Sequence, residues 1–304
     1  MTNVLDAPLV LTDSGLETEL LFHGGFDLPC FAAFPLLDDA TGRAALDRYY
    51  REHAQIAASA GLPFVFETPT WRANPDWGKQ VGYDLDRLAT VNADAVAFLR
   101  GIGTEVGGVF VVSGCIGPRG DGYVVGDVMT AAEAADYHSW QVQTLASGGA
   151  DLVTAMTLTY ADEAIGFARA ASQAGIRCVV GYTVETDGRL PDGSTLADAV
   201  TRVDEATDSA PSHYLVNCAH PTHFTDVLDP EQPWTRRVRA IRANASRMSH
   251  AELDVAEELD DGDPVELGQQ YAQLRADRPW LQVLGGCCGT DVRHVQAIAS
   301  AVLS

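Results

Sequence analysis

Two adjacent cysteines near the end of the chain have the residue type and the setting of a metal site. Cys287 and Cys288 lie among three glycines and follow the apolar run Leu281–Leu284. Neighbouring side chains of a strand point to opposite faces, so both sulfurs reach one point only after the strand has ended in a turn, which glycine favours. Cys218 ends another apolar run, Tyr214–Asn217. Three thiolates from two strand ends predict a zinc site with one open position.

A packing role is the alternative for each of these cysteines, because free cysteine is among the most buried residue types. The spacing is not that of a zinc finger, since 69 positions separate Cys218 from Cys287. The choice between ligand and core residue therefore depends on the fold.

Length and charge narrow the classes of protein to which the chain can belong. Its 304 residues could form two domains, but α/β barrels of this size are single domains, and we predict one domain over residues 1–304. Hydrophobic residues make up 46% of the chain and charged residues 20%, as in ordinary globular proteins. The net charge of −22 argues against nucleic acid and anionic membranes as partners.

The cellular location is predicted from what the sequence lacks. No apolar run approaches the roughly 18 residues of a membrane span, and Met1–Asp6 lacks the basic region of a signal peptide. We therefore predict a cytoplasmic protein with reduced thiols, in which Cys30, Cys115 and Cys178 are packing residues. A homo-oligomer is compatible with the sequence.

Short apolar runs alternate with longer amphipathic stretches along the whole chain. This alternation is typical of repeated βα units and a parallel sheet. Eight strands are predicted: Leu9–Thr12, Pro63–Glu67, Val109–Ser113, Leu152–Met156, Cys178–Thr183, Tyr214–Asn217, Val238–Arg242 and Leu281–Leu284. Eight such units favour an α/β fold with a single (β/α)8 barrel, known as a TIM barrel.

The stretches between the strands have apolar residues at helical spacing. Helices are predicted around Leu46–Ala60 and after Thr222, and over Leu85–Arg100, Ala131–Ser147, Asp162–Ala174, Leu196–Ala206, Pro264–Asp277 and Asp291–Val302. Gly61, Gly149 and Gly175 each end a helix just before a strand, as expected of helix C-caps.

The carboxyl ends of barrel strands carry the chemistry in this architecture. Most residues at the predicted strand ends are polar or carry a thiol; the ends are Asp13, Glu67, Thr68, Ser113, Met156, Thr157, Thr183 to Glu185, Asn217, Cys218, Asn244, Cys287 and Cys288. Strands six and eight therefore bring the three sulfurs to one rim.

Four motifs resemble the zinc-dependent homocysteine S-methyltransferase family, which includes betaine-homocysteine and S-methylmethionine-homocysteine methyltransferases. They are Asp13-Ser14-Gly15-Leu16-Glu17-Thr18-Glu19-Leu20, Ser113-Gly114-Cys115-Ile116-Gly117-Pro118, Asn217-Cys218 and Gly285-Gly286-Cys287-Cys288. The resemblance covers essentially the whole chain. It implies a (β/α)8 barrel with Cys218, Cys287 and Cys288 as zinc ligands and catalytic centre, and with Asp13 lining the amino-acid site.

The implied chemistry agrees with these residues. The thiolate is the nucleophilic form of a thiol, and coordination to Zn²⁺ deprotonates a thiol. Three thiolates leave the zinc a poor electrophile, which favours alkyl transfer over hydrolysis. We predict transfer of a methyl group from a sulfonium or quaternary ammonium donor to a small thiol, homocysteine, to give methionine.

The chain departs from the family at two places. Met156 stands where the family usually has a glutamate that holds the substrate ammonium, and Glu67 or Glu185 could supply that charge instead. Arg242–Ser246 replaces a Pro-Asn-x-Gly sequence. The nearby His250 and Glu252 could line the site or cap a helix, and capping is the favoured role. The full set of candidate substrate-binding residues is Asp13, Glu17, Glu67, Thr68, Ser113, Glu185 and Asn217.

Other candidates have a more ordinary structural alternative. Trp71 and Trp77 could form a cage for a cationic donor, although packing is the commoner role of tryptophan. His53 is expected in the core, and His220 and His223 at the start of a helix. Asn217 could bind the substrate amino acid or serve only the structure.

Two other functions are compatible with a metal-binding barrel. A metal-dependent hydrolase would have a water in the open position, but it would usually need a His-x-His near strand one, where this chain has Thr12-Asp13-Ser14. A thiol-binding or zinc-storing protein without methyl transfer is the non-enzymatic alternative, which Met156 keeps open.

Overall fold

A closed ring of eight parallel strands forms the centre of the protein. The computed structural model describes residues 4–304; Met1–Asn3, the first half of the segment used to exclude a signal peptide, lie outside them. The strands are Val10–Thr12 (β1), Phe64–Glu67 (β2), Phe110–Ile116 (β3), Leu152–Leu158 (β4), Arg177–Tyr182 (β5), His213–Asn217 (β6), Val238–Ala243 (β7) and Val283–Gly286 (β8). Each strand pairs with the next, and β8 pairs with β1, which confirms the (β/α)8 barrel.

Helices connect the strands and surround the ring. They are Leu16–Thr18 (α1), Ala40–Ser59 (α2), Pro75–Gln80 (α3), Leu85–Val106 (α4), Ala131–Ser147 (α5), Ala161–Ala174 (α6), Leu196–Thr207 (α7), Pro221–Phe224 (α8), His250–Asp254 (α9), Pro264–Asp277 (α10) and Val292–Leu303 (α11). The predicted helices are confirmed, and α9 lies where a helix was expected near His250 and Glu252; the short helices α1 and α3 were not predicted.

Helix ends follow the local sequence. Asp39 begins α2 by accepting the Gly42 N–H at 2.8 Å, and Thr130 and Glu133 form a reciprocal capping box on α5. Gly175 ends α6 in the left-handed region, with φ +68°, as the Gln173–Gly175 join predicted.

Two strands extend further than their apolar runs predicted. β3 continues to Ile116 and β4 to Leu158, so Ser113 and Met156 lie inside strands and not at their ends. The predicted ends of β3 and β4 were wrong because a polar or small residue interrupts the apolar run of each strand. The backbone nevertheless stays in the sheet beyond that residue. The register between β4 and β5 shifts between Ala155 and Leu158, where Thr157 has a φ of +64°.

Apolar side chains form one core inside the ring and another between the ring and its helices. Val10, Val65, Leu152, Val179 and Val283 fill the interior. Alternate strand residues pack outward against the helices, among them Leu11, Phe64, Phe66 and Val180. Of the other cysteines, Cys115 and Cys178 are buried as predicted, whereas Cys30 is partly exposed. The two cores fix the strand ends, and with them the site at the rim.

Candidate metal centre and substrate cavity

The three predicted cysteines meet at the carboxyl end of the barrel. The Sγ atoms of Cys218, Cys287 and Cys288 all lie within 4.8 Å of one another. Strand β7 causes this convergence because it lies between β6 and β8: Cys218 N–H donates to Arg242 O at 3.1 Å, and Cys287 N–H donates to Ala243 O at 2.8 Å. The arrangement can hold a metal ion.

Cys218 and Cys287 are joined in a disulfide, whereas Cys288 is a free thiol. The expectation of reduced thiols is therefore wrong for this pair. The reason is geometric, because their Cα atoms are 5.4 Å apart, within the range that a disulfide spans. The close approach of the cysteine sulfurs that suits a metal ion also allows two of them to form a disulfide. Metal binding requires Cys218 and Cys287 in the reduced form.

The glycines around the sulfurs are needed because a side chain would not fit there. Their backbone freedom matters less. A Cβ atom on Gly286 would lie 2.0 Å from Thr290 Oγ1, and one on Gly15 would lie 2.3 Å from Cys287 O. Gly285 is equally confined by Asp13 O, at 2.5 Å. Only Gly289 of the three glycines beside the cysteines has a positive φ, +78°. The glycines allow the loop after β1 to lie directly against the cysteine turn.

A cavity opens beside the sulfurs and collects most of the predicted substrate-binding residues. Its wall includes Asp13, Glu17, Glu67, Thr68 and Asn217, together with all three cysteines. Ser113 and Glu185 are not part of this wall. The Ser113 hydroxyl lies 2.8 Å from Thr154 Oγ1 inside the barrel, and Glu185 lies 3.1 Å from His250 Nδ1.

Arg242 is a buried residue of the cavity wall to which sequence reasoning gave no role. Its guanidinium is buried in the cavity wall, where it forms an ion pair with Asp13 and donates to Thr12 Oγ1 at 2.9 Å and to Ser14 O at 2.8 Å. Asp13 also accepts the Glu67 N–H at 3.3 Å. The sequence of β7 did contain a signal for this position. Side chains of a strand point alternately to its two faces, so Arg242, two residues after the inward-facing Ala240, also points into the barrel.

Two other carboxyl groups of the cavity resist ionisation. Desolvation raises the pKa of Glu67 to about 8, although the nearby Arg242 opposes the shift. Desolvation likewise raises the pKa of Glu17 to about 7. Glu67 is 8% exposed, and its Oε2 has no hydrogen-bond partner among residues 4–304.

Asn217 and Thr68 contribute hydrogen bonds within the wall. Asn217 Oδ1 accepts the Thr157 N–H at 3.0 Å, and its Nδ2 donates to Thr157 Oγ1 at 2.9 Å. Thr68 Oγ1 accepts the Cys115 N–H at 2.9 Å. The Asn217 amide thus holds Thr157 in its left-handed conformation.

The two tryptophans pack against a side chain of the protein, the commoner of the two roles considered for them, and do not form an open cage. The Arg72 guanidinium lies 3.9 Å from the ring centre of Trp71 and 3.9 Å from that of Trp77. Trp71 still lines the cavity, and its Nε1 donates to Met156 O at 3.3 Å. A donor cation cannot enter between the two rings.

His250 lies against the cysteine cluster, although the sequence favoured a helix-capping role for it. Its Nε2 lies 2.7 Å from Cys218 O, and its ring stacks on Tyr123 with centroids 4.2 Å apart. The Tyr123 hydroxyl lies 3.4 Å from Cys288 Sγ. Glu252 does cap α9, as predicted, in a capping box with Ser249.

The three other histidines that the sequence analysis named, His53, His220 and His223, are where it placed them. His53 is buried, 2.7 Å from Ser14 Oγ. His220 begins α8, accepting the Thr222 N–H at 3.2 Å, and His223 lies within that helix.

Comparison with known proteins identifies the family. The family model described as homocysteine S-methyltransferase matches residues 10–302. The chain belongs to the homocysteine S-methyltransferase family. As a member of this family the chain is a methyltransferase. It is therefore not the metal-dependent hydrolase considered as an alternative.

Solved structures have the same fold as this homocysteine S-methyltransferase family member. The homocysteine methyltransferase MmuM from Escherichia coli in its oxidised form matches with a TM-score of 0.79 and 19% identity, covering 98% of this chain and 99% of that chain. Its metallated form matches with a TM-score of 0.76, 19% identity and the same coverage. Its apo form matches with a TM-score of 0.68 and 17% identity, covering 98% of this chain and 100% of that chain. No curated protein is similar enough in sequence to match.

The homocysteine S-methyltransferase barrel carries no membrane-spanning segment in the part described. Within residues 4–304, no helix is both long enough and apolar enough to cross a bilayer.

Proposed function

We propose that this protein transfers a methyl group from a sulfonium or quaternary ammonium donor to a small thiol, homocysteine, giving methionine. The observation that carries this proposal is the convergence of three cysteine sulfurs within 4.8 Å at the wall of a cavity. In this proposal the protein is one domain that works in the cytoplasm.

Zinc is the metal that we propose for this centre. Cys218, Cys287 and Cys288 would hold it, because thiolates are its preferred ligands and three of them leave one position open. When bound, zinc supplies deprotonation of the acceptor thiol, so that its sulfur is nucleophilic at neutral pH.

The protein's own residues position the acceptor and protect it from water. Part of the wall of the cavity beside the sulfurs is apolar and is formed by Leu16, Phe31 and Met156. Another part is charged and is formed by the Asp13–Arg242 ion pair. An acceptor sulfur held beside Cys288 would face this cavity, whose apolar wall offers few hydrogen-bond partners to the water that competes for the methyl group.

A second cavity, next to the first, is the site that we propose for the cationic methyl donor. It has a volume of about 370 Å³ and shares Trp71, Tyr123 and Cys288 with the first cavity. Four acidic residues line it, Asp121, Asp254, Glu258 and Asp260, against one cation, Arg72. Carboxylates and aromatic faces both attract cations. A donor bound there would lie against the same cysteine as the acceptor.

The first test compares bound metal with methyl transfer. Reduced wild-type protein is expected to retain about one zinc per chain, whereas Cys218→Ser and Cys288→Ser should lose it together with activity, since each removes one of three ligands. Cys178→Ser is the matched control, because Cys178 is buried away from the cavity.

A panel of thiols and methyl donors separates the proposed enzyme from a storage protein. Methylation of homocysteine by at least one cationic donor supports the proposal. Zinc binding without a methylated thiol from any pair would contradict it and favour storage.

A further inference from the structure

The cavity contains a buried carboxyl group, that of Glu67, with one oxygen that has no hydrogen-bond partner among the described residues. Glu67 is held at the end of β2 through its backbone, since its N–H donates to Asp13 and its carbonyl accepts the Tyr50 hydroxyl at 2.8 Å. Its side chain faces the barrel interior, two residues after the inward-facing Val65. Oε2 has no partner among the described residues, and an unsatisfied buried polar atom is costly unless a ligand pairs with it.

Asp13, the carboxylate that the sequence favoured for substrate binding, is already paired. It accepts from the Arg242 guanidinium and from the Glu67 N–H. Freeing Asp13 for a ligand would leave the Arg242 charge buried without a partner. Asp13 is therefore a poor receptor for a substrate cation.

We propose that Glu67 is the specificity-determining residue that receives the ammonium group of an amino-thiol acceptor. The proposal rests on the proposed function, because it assumes that the acceptor enters the cavity beside Cys288. Binding transfers the Glu67 proton to solvent, and the resulting carboxylate pairs with the ammonium.

The charges around Glu67 balance in both states. Without ligand, Arg242 and Asp13 cancel and Glu67 is protonated; with ligand, the ionised Glu67 cancels the ammonium. The other groups facing it are the Ser113 and Thr154 hydroxyls on β3 and β4. Cys115 on the neighbouring strand β3 and His213 on β6, which lines the barrel interior with Glu67, are both held neutral, because burial raises the pKa of Cys115 and lowers that of His213 to about 3. None of them supplies a competing cation.

The first measurement is the ratio of kcat/KM for homocysteine to that for 4-mercaptobutanoate, which lacks only the amino group. Glu67→Gln should lower this ratio about a hundredfold, because the ammonium then lies buried without a counter-charge. An unchanged ratio would show that Glu67 does not receive the ammonium.

The second measurement uses methionine and 4-(methylthio)butanoate, which have no thiol proton to lose. Calorimetry at pH 7 in buffers of different ionisation enthalpy should show about 0.9 proton released when methionine binds, since a group with a pKa of about 8 is mostly protonated there. The analogue without the amino group should release none, and Glu67→Gln should abolish the release. Proton release that persists in Glu67→Gln would overturn the proposal.

Glu17→Gln is the matched control, because Glu17 lines the same cavity and also has a raised pKa. It should leave the ratio of the two thiols unchanged, whatever it does to the separate rates. If Glu17→Gln collapses the ratio, the ammonium binds there and the proposal is wrong.

Failure of the proposed function would look different. A wild-type protein that methylates neither thiol contradicts the proposed function, and the calorimetry still decides the role of Glu67. Folding should not interfere, because an amide closely resembles the protonated carboxyl of the unliganded protein.

Discussion

Asp13 and Arg242 form a buried ion pair between the first and seventh strands. Their side chains are 3% and 7% exposed, and each has further hydrogen bonds. Removing one member of such a pair leaves an uncompensated charge in a medium that solvates it poorly. The pair fixes the floor of the cavity and leaves recognition of a substrate cation to other groups.

Arg242→Met is expected to lower the free energy of unfolding by about 3–5 kcal/mol, because Asp13 then loses its counter-charge. Adding Asp13→Leu to it should restore more than half of the loss. Urea unfolding of the single and double variants measures both effects. Arg43→Met is the control, since Arg43 pairs with Asp94 at a partly exposed site and should cost less than about 1 kcal/mol. Equal losses for the two arginines would contradict the argument.

Residue types alone located the sulfurs but not the partners of the charged groups. Cys218, Cys287 and Cys288 each follow an apolar run, so their meeting at one rim follows from the barrel. The pairing of Arg242 with Asp13 depends on how β7 and β1 face each other across the interior, which no local pattern contains. The position of the Arg72 guanidinium between the two tryptophan rings could not be predicted from the sequence either, because it depends on a side-chain conformation.

At the scale of elements, the turn after β8 determines where two of the three sulfurs lie. Gly286 ends the strand, and the Thr290 hydroxyl donates to Cys287 O at 2.6 Å within the turn. The loop after β1 packs on the same turn, since the Gly289 N–H donates to Thr18 Oγ1 at 3.0 Å. The position of the cysteine cluster thus depends on the close approach of two loops.

Gly286→Ala is expected to displace this turn, because its Cβ would lie 2.0 Å from Thr290 Oγ1. Such overpacking costs about 1–3 kcal/mol, and zinc retention should fall with it. Gly101→Ala is the matched control: Gly101 lies in α4 with open space beside it, and alanine there should raise stability by up to about 1 kcal/mol. Metal analysis and thermal unfolding of both variants check this. Full zinc retention by Gly286→Ala would contradict it.

Strand existence was predictable, but strand ends were less so. Apolar runs revealed all eight strands because a buried parallel strand has few polar positions. The ends of β3 and β4 were placed too early because Gly114 and Thr157 look like breaks in sequence. In the structure, Thr157 remains in β4 because Asn217, from another strand, satisfies its backbone and hydroxyl.

At the scale of the whole molecule, the recurring helix–glycine–strand joins sufficed to predict a barrel. Closure was implied by the number of units and is seen in the pairing of Val10 with Val283 and of Leu11 with Leu284. The acid-rich composition gave a net charge of −22 but no indication that some carboxyl groups would be protonated. Their protonation depends on burial, which only the fold defines.

Stability is expected to fall as the pH rises from about 6.5 to 8. Burial raises the pKa values of Glu17 and Glu19 to about 7 and that of Glu67 to about 8, so the folded protein holds protons that the unfolded chain has lost. This contribution is complete below the unfolded value of about 4.5 and is lost as the pH passes 7 to 8. The lowered pKa values of His213 and His220 act in the opposite direction, below about 6.5.

Urea unfolding at a series of pH values tests this dependence. Glu67→Gln should flatten the decline between about pH 7 and 8, because its amide does not titrate. A stability that rises steadily over this interval in the wild-type protein would show that the three glutamates are ionised in the fold.

The pairing of β8 with β1 also sets the order in which the protein can mature. A ribosome delivers Cys218 well before Cys287 and Cys288, so a nascent chain with seven strands exposes only one of the three sulfurs. Capture of an ion by all three must wait for the last strand to emerge and for the ring to shut. Metal uptake during translation would therefore report the completion of folding and not its beginning.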